Sequence, residues 1–192
     1  MAVRTLGRRR PARRRTVCPV GICAAGGSTR AAAISLGALQ VLRATGWMGP
    51  ETYLCYVDEG VGVAAALQQE CSTVVVIDPD DGPPTLPRDV ELDDVSHLRP
   101  GTDPGGPCDR RLAAGAVVTG RVTYPSGHRG RLVLAVPRLT ADAPEVVLAH
   151  AAAHPAFPHE TVPLDDGHVE VYRQLGRHLG AHVVGTLLRL AA

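Results

Sequence analysis

Gly26, Gly27, Ser28, Thr29 and Arg30 follow an apolar run, Val20-Gly21-Ile22-Cys23-Ala24-Ala25. Apolar residues that stop abruptly in glycines and hydroxyls predict a strand, then a loop of phosphate size, then a helix. With no Cβ on Gly26 or Gly27 a phosphate can approach the backbone, helix N-terminal N–H groups can point at it, and Arg30 can add charge. The same residues also make an ordinary strand-to-helix turn. The loop is neither a P-loop, lacking Gly-Lys-Ser/Thr, nor a G-x-G-x-x-G.

Two other groups of residues carry chemistry by type. Asp78, Asp80 and Asp81 close an apolar run and could hold a metal at a sheet edge, although a solvated turn with Asp capping explains them equally simply. His150 and His154, and again His178 and His182, have the i,i+4 spacing of helical metal ligands. Pro155 and Pro158 argue against a helix across the first pair and Gly180 weakens the second, so all four are read as solvent-exposed or hydrogen-bonded histidines. The expected metal-ligand set is therefore none.

The elements that must position these groups follow from periodicity. Thr16 to Cys23, Thr73 to Asp78, Val146 to His150 and Ala181 to Leu188 read as strands of one sheet, the second being the clearest because it is short and β-branched. Ala31 to Leu42 suits a loose helix or a loop, since Gly37 interrupts it. Pro50 to Gln69 suits a helix, with a strand at Tyr53 to Val57 as the rival. Residues 82–109 read as a long loop with one short strand near Val90 that contributes little to the core. Ala116 to Val118 and Val122 to Tyr124 suggest another strand or a broken pair. Gly127 to Leu139 reads as an amphipathic turn or two, and Val169 to Leu179 as a helix. The order is strand-loop-helix repeated, which predicts an α/β fold: a single three-layer domain with a mostly parallel sheet.

Composition bounds the function. The chain has 192 residues and is 45% apolar, enough for one α/β core and too polar for a membrane span. Seven arginines precede position 16, so a net charge of +1 leaves −6 on the rest. Residues 1–15 are expected to be a disordered basic leader, with a transit peptide, a nucleic-acid-binding arm or an over-long start as alternatives; they lack the apolar stretch of a secretory signal. Residues 16–192 form the α/β domain, with a loop-rich insertion around 82–126. Cys18, Cys23, Cys55, Cys71 and Cys108 form no C-x-x-C pair and leave an odd one over, which speaks against a zinc site or a disulfide framework and for a reducing cytoplasm. The chain contains no lysine and no asparagine, which removes every mechanism that needs an ammonium side chain.

Ala24-Ala25-Gly26-Gly27-Ser28-Thr29-Arg30 resembles the A-A-G-x-G-x-R loop of the nucleotidyltransferase superfamily, and most closely that of the 2-C-methyl-D-erythritol 4-phosphate cytidylyltransferase family. Val147-Leu148-Ala149-His150-Ala151-Ala152-Ala153-His154-Pro155 is similar to that family's V-L-V-H-D-A-A-R-P segment. The resemblance covers roughly residues 16–188, and a looser match sets Gly127 to Leu139 on a segment that contacts the base. It implies a nucleotidyltransferase-like, Rossmann-like fold, and transfer of CMP from CTP to 2-C-methyl-D-erythritol 4-phosphate in isoprenoid precursor synthesis. Arg30 would be catalytic; Ala24, Ala25, Gly26, Gly27, Ser28, Thr29 and Gly127 would bind the nucleotide; His150 and His154 would stand on the substrate side. Magnesium is the cofactor the family implies. The implied partners are CTP or another nucleotide and optionally a second copy of the chain, with no membrane and no nucleic acid.

The departures fall on the chemistry. Gly37 stands where the family has a phosphate-binding lysine, Ala151 where it has a magnesium-binding aspartate, and His154 where it has an arginine. The chain also ends where the family continues into a P-V-x-D-T segment. Nucleotidyl transfer rests on positioning and charge neutralisation. The alternative expectation is therefore a non-catalytic remnant of the fold, or a weak nucleotide-binding protein.

Overall fold

In a computed structural model, residues 19–57, 61–78, 86, 90–99, 112–159 and 164–192 are described. The expectations for residues 1–15, for Thr16 to Cys18, for Asp80 and Asp81 and for most of 82–111 lie outside the described residues. The chain is an α/β protein built on a six-stranded mixed sheet. Its strands are β1 (Val20–Ala25), β2 (Tyr53–Val57), β3 (Thr73–Ile77), β4 (Val90–Leu92), β5 (Val117–Thr123) and β6 (Arg129–Ala135), in the order β2-β1-β3-β6-β5-β4. The first four in that order run parallel; β5 is antiparallel to both β6 and β4.

The central strands are buried on both faces, so they read as continuous apolar runs rather than alternating ones. Ile22, Val75, Ile77 and Val133 turn to the face covered by α1 (Thr29–Ala44), α3 (Glu145–Ala153) and α4 (Asp166–Ala191). Cys23, Val74, Val76, Leu132 and Leu134 turn to the other face, under α2 (Val61–Gln68), Leu98 and Tyr124. From β1 the chain crosses through α1 to β2, then through α2 back past β1 to β3. The connection therefore reverses direction between β1 and β3, and the carboxyl ends of those two strands border a topological switch point.

Several expected elements are corrected. Val146 to His150 is helical: Val147 and Ala151, four residues apart, are buried, while Val146 between their rows is half exposed. That is a helical period, and the Ala-rich end of the segment favours it over the β-branched start. Ala181 to Leu188 is the continuation of α4, whose buried stripe Val171, Leu175, Leu179, Val183, Leu187 runs through both halves at i,i+4. Pro50 to Gln69 resolves into the rival strand β2 followed by α2. Gly127 to Leu139 supplies the central strand β6 rather than an amphipathic turn. The short strand near Val90 is β4, and within 82–109 Leu98 is buried; Ala113, Ala116, Val118, Val122 and Tyr124, beyond that stretch, are buried as well.

Glycine inside α1 and α4 misleads periodicity for a physical reason. A Cβ on Gly37 would collide with the Arg173 carbonyl oxygen and come within 2.8 Å of the Arg177 nitrogen; one on Gly180 would lie 2.9 Å from the Ala38 carbonyl oxygen. The two helices meet backbone to backbone, and only glycine permits it. Ser28 caps α1, its Oγ accepting from the Ala31 N–H at 3.1 Å, and Asp165 caps α4, accepting from the His168 N–H at 2.8 Å.

Candidate functional site

The loop after β1 opens at the switch point. Ala24 and Ala25 are buried at the carboxyl end of the strand, Gly26 is partly exposed, and Gly27, Ser28 and Thr29 face solvent. Neither Gly26 nor Gly27 has a positive φ; among the described glycines Gly46 and Gly127 do. Backbone conformation therefore does not demand glycine here, and a missing Cβ leaves the backbone open to close approach. No acidic side chain sits in the first turn of α1 to oppose an anion. The side chain of Ser35, one and a half turns along, donates to the Ala25 carbonyl at 2.5 Å and fixes the helix against the strand end.

Arg30 is partly buried, and its Nη1 donates to the Pro158 carbonyl at 3.3 Å. This bond joins the loop to the turn that follows α3, so the two sheet-edge segments picked out in the sequence are neighbours. His150 and His154 stand at the C-terminal end of α3, and their rings stack with centroids 4.0 Å apart and planes only 12° apart. His168, from the first turn of α4, sets its ring edge-on to both, at 5.0 Å from each. Its Nδ1 lies 2.6 Å from Asp165 Oδ1, and the Asp165 carboxyl is held below the usual range, first by the His168 backbone N–H and then by the His168 ring. One nitrogen from each of the three rings falls within a 4.8 Å circle.

Those three rings do not make a metal centre as they stand. An imidazole coordinates through a lone pair in its own plane, and the His150 and His154 planes, inclined by only 12°, do not meet near the stack. Magnesium takes oxygen donors; among the described residues the carboxylates on these segments include Asp78, at the end of β3, and Asp165, which is engaged by His168. Ala151, where the family has its carboxylate, is completely buried in the apolar core, and a charged group there would be strongly unfavourable. Gly37, where the family has its lysine, is turned into α4 and away from the loop. Asp78 stands at the carboxyl end of β3, its backbone N–H donating to the Ala135 carbonyl at 3.0 Å.

Gly127 does not belong with the loop. It forms the β5–β6 hairpin turn with φ +82°, its N–H donating to Tyr124 and the Tyr124 N–H to the His128 carbonyl. Because β6 runs parallel to β1 and begins at this turn, Gly127 lies at the opposite edge of the sheet, roughly 30 Å away along the strands at about 3.3 Å per residue. His178 and His182 do lie on one helix, α4, one turn apart. His168 and Asp165 were missed by sequence reading, although the Asp-x-x-His start of a helix is a capping signal that could have found them. No helix among the described residues is long and apolar enough to cross a membrane. No family model, curated protein or solved structure matches the chain.

Proposed function

We propose that this chain is a nucleotide-binding protein of nucleotidyltransferase-like, Rossmann-like fold, which takes the phosphates of CTP or a related nucleotide on Ala24 to Arg30 and transfers them poorly or not at all. The observation that carries this reading is the exposed Gly26–Thr29 loop opening α1 at the switch point between β1 and β3, with Arg30 beside it. Phosphate binding there uses backbone N–H groups and one guanidinium, and needs no lysine. On this reading the four parallel strands are the ancestral sheet and β5 and β4 its antiparallel flank, and the protein works in the cytoplasm.

Transfer of CMP to 2-C-methyl-D-erythritol 4-phosphate would need attack by the alcohol phosphate on the α-phosphorus of CTP, with pyrophosphate leaving. Charge would build on the phosphates during that step. Arg30 is the cation set beside them, and the positions that would carry the family's lysine and carboxylate point into the core. Losing one such stabilising group commonly raises a barrier by about 2.7–4 kcal/mol, so binding outlasts turnover.

The test is calorimetric titration of CTP into the full chain, with and without magnesium, on the wild type and Arg30→Ala. Arg30 must give up its bond to the Pro158 carbonyl for a phosphate. A charged hydrogen bond is worth about 1.5–3 kcal/mol, which sets the upper bound of the affinity lost in Arg30→Ala. Weak binding, insensitive to magnesium and weakened in this way, is expected. Absence of CTP binding to wild type, or binding indifferent to Arg30, would refute the loop assignment; rapid pyrophosphate release with the alcohol phosphate would overturn the loss of transfer.

A further inference from the structure

We propose that Asp142, His178 and His182 form a second site, separate from the phosphate loop, which binds one divalent transition-metal ion of the zinc class. Continuous helix puts His178 and His182 at i,i+4 on one side of α4. Asp142 comes from the segment between β6 and α3. That segment is anchored by buried Thr140 and Ala143: the Thr140 backbone bridges to Ala113, and its Oγ1 lies 2.9 Å from His178 Nε2. The backbone bridge and the burial of Ala143 hold the carboxylate beside the two rings without the ion, whereas the Thr140 hydroxyl occupies the nitrogen that an ion would take.

The spacing matches a shared ion. His178 Nε2 is 3.7 Å from Asp142 Oδ1 and His182 Nε2 is 3.1 Å from Asp142 Oδ2. Ligands about 2.0–2.1 Å from zinc at tetrahedral angles are roughly 3.3 Å apart, and each ring nitrogen already stands near that distance from one of the two carboxylate oxygens, so a small rotation of the carboxylate brings a single oxygen to both. The rings of His178 and His182 are inclined by 74°, with centroids 4.5 Å apart. Their planes therefore cross, which lets one ion lie in both ring planes at once. That condition fails for the stacked His150 and His154, which separates the two histidine clusters although both gather three candidate ligands.

Exposure adds a direction. The side chain of His178 is 9% exposed, that of His182 30% and that of Asp142 66%. The site is anchored at one end and open at the other, which gives an ion a way in and leaves a fourth position for water or a ligand atom. Two imidazoles and one carboxylate suit zinc, cobalt, nickel or copper, and do not suit magnesium or calcium. An ion would replace these hydrogen bonds: each Nε2 turns its lone pair to the metal, and a neutral ring carries its proton on Nδ1.

The test is calorimetric titration of the metal-free full chain with zinc chloride, on the wild type, Asp142→Ala, His182→Ala and the control His154→Ala. Both Asp142 and His182 are partly exposed, and circular dichroism checks that each variant keeps its helices. The expected result is that wild type and His154→Ala bind zinc, and that Asp142→Ala and His182→Ala each lose one equivalent or bind it at least about tenfold more weakly. Millimolar magnesium should not compete. Zinc binding of equal stoichiometry and affinity in all four proteins, or no binding to the wild type, would overturn the site; displacement of zinc by magnesium would overturn its assignment to the zinc class.

Discussion

Alanine in place of glycine should have opposite effects at two positions nine residues apart on α4. A Cβ on Gly176 would overlap the Ile34 carbonyl oxygen and come within 2.8 Å of the Ile34 carbonyl carbon and 2.9 Å of its Cα. All three obstacles are main chain of α1, so no rotamer change relieves them and the helices must move apart. Overpacking costs about 1–3 kcal/mol, and a backbone obstacle belongs at the upper end. Glycine to alanine in a helix returns about 0.8–1.0 kcal/mol. We predict a net loss near 2 kcal/mol for Gly176→Ala, which at about 2–4 °C per kcal/mol for a chain of this size lowers Tm by roughly 4–8 °C. At Gly185 the same Cβ would meet only the end of the Arg189 side chain, at 3.7 Å. There the helical gain stands alone, and Gly185→Ala should be about 0.5–1 kcal/mol more stable than wild type. Urea unfolding followed by far-ultraviolet circular dichroism measures both, with an unchanged m-value showing that the unfolding transition itself is the same. A Gly176→Ala protein as stable as wild type would refute the backbone contact between α1 and α4, and with it the reason given for the glycines in both helices.

Two further substitutions probe how the edges of the sheet are fastened. Ser28→Ala removes the acceptor for the Ala31 N–H and should cost about 1 kcal/mol by urea unfolding, with Ser28→Asp recovering most of it; equal stability of the alanine variant would mean that the cap is not made. Tyr124→Phe deletes the buried hydroxyl that donates to the Cys71 carbonyl at 2.5 Å and ties the end of β5 to the start of β3. A loss of about 1–3 kcal/mol is expected, and no loss in the same assay would show that another donor replaces the phenol.

How much of this was legible in the residues depended on which signal carried it. β1 and β3 could be placed because each is a short apolar run with an abrupt end, and the loop at Gly26 to Arg30 because glycines and hydroxyls follow at once. α3 was misread because Val146, Val147 and Leu148 look β-like one by one, while their burial alternates with the period of a helix that packs weakly at one end. α4 was cut in two because Gly180 reads as an interruption when taken alone. Its cause is a contact with Ala38, some 140 residues away, which no local window contains. The same holds for the site chemistry. The i,i+4 spacing of His178 and His182 was visible, but the carboxylate that completes the set comes from a connection whose path only the fold reveals. Conversely, the segment of His150 and His154 was read as a strand end and is the end of a helix, followed by a turn whose Pro158 carbonyl accepts from Arg30.

The glycine seam between α1 and α4 also sets a timetable. Its two sides, around Ile34 to Ala38 and Arg173 to Gly180, are separated by nearly the whole described chain. At about 5–20 residues per second, a ribosome needs roughly 7–28 s to make the second side after the first. During that interval Ile34, Ala38 and Leu42, all completely buried in the finished protein, have no α4 to cover them. Closing so long a loop also places the contact among those that slow folding most. A nascent chain of this protein therefore carries an uncovered apolar helix face near its beginning until almost the last turn of α4 is made, and that face is where a chaperone, or another nascent copy, would find it first.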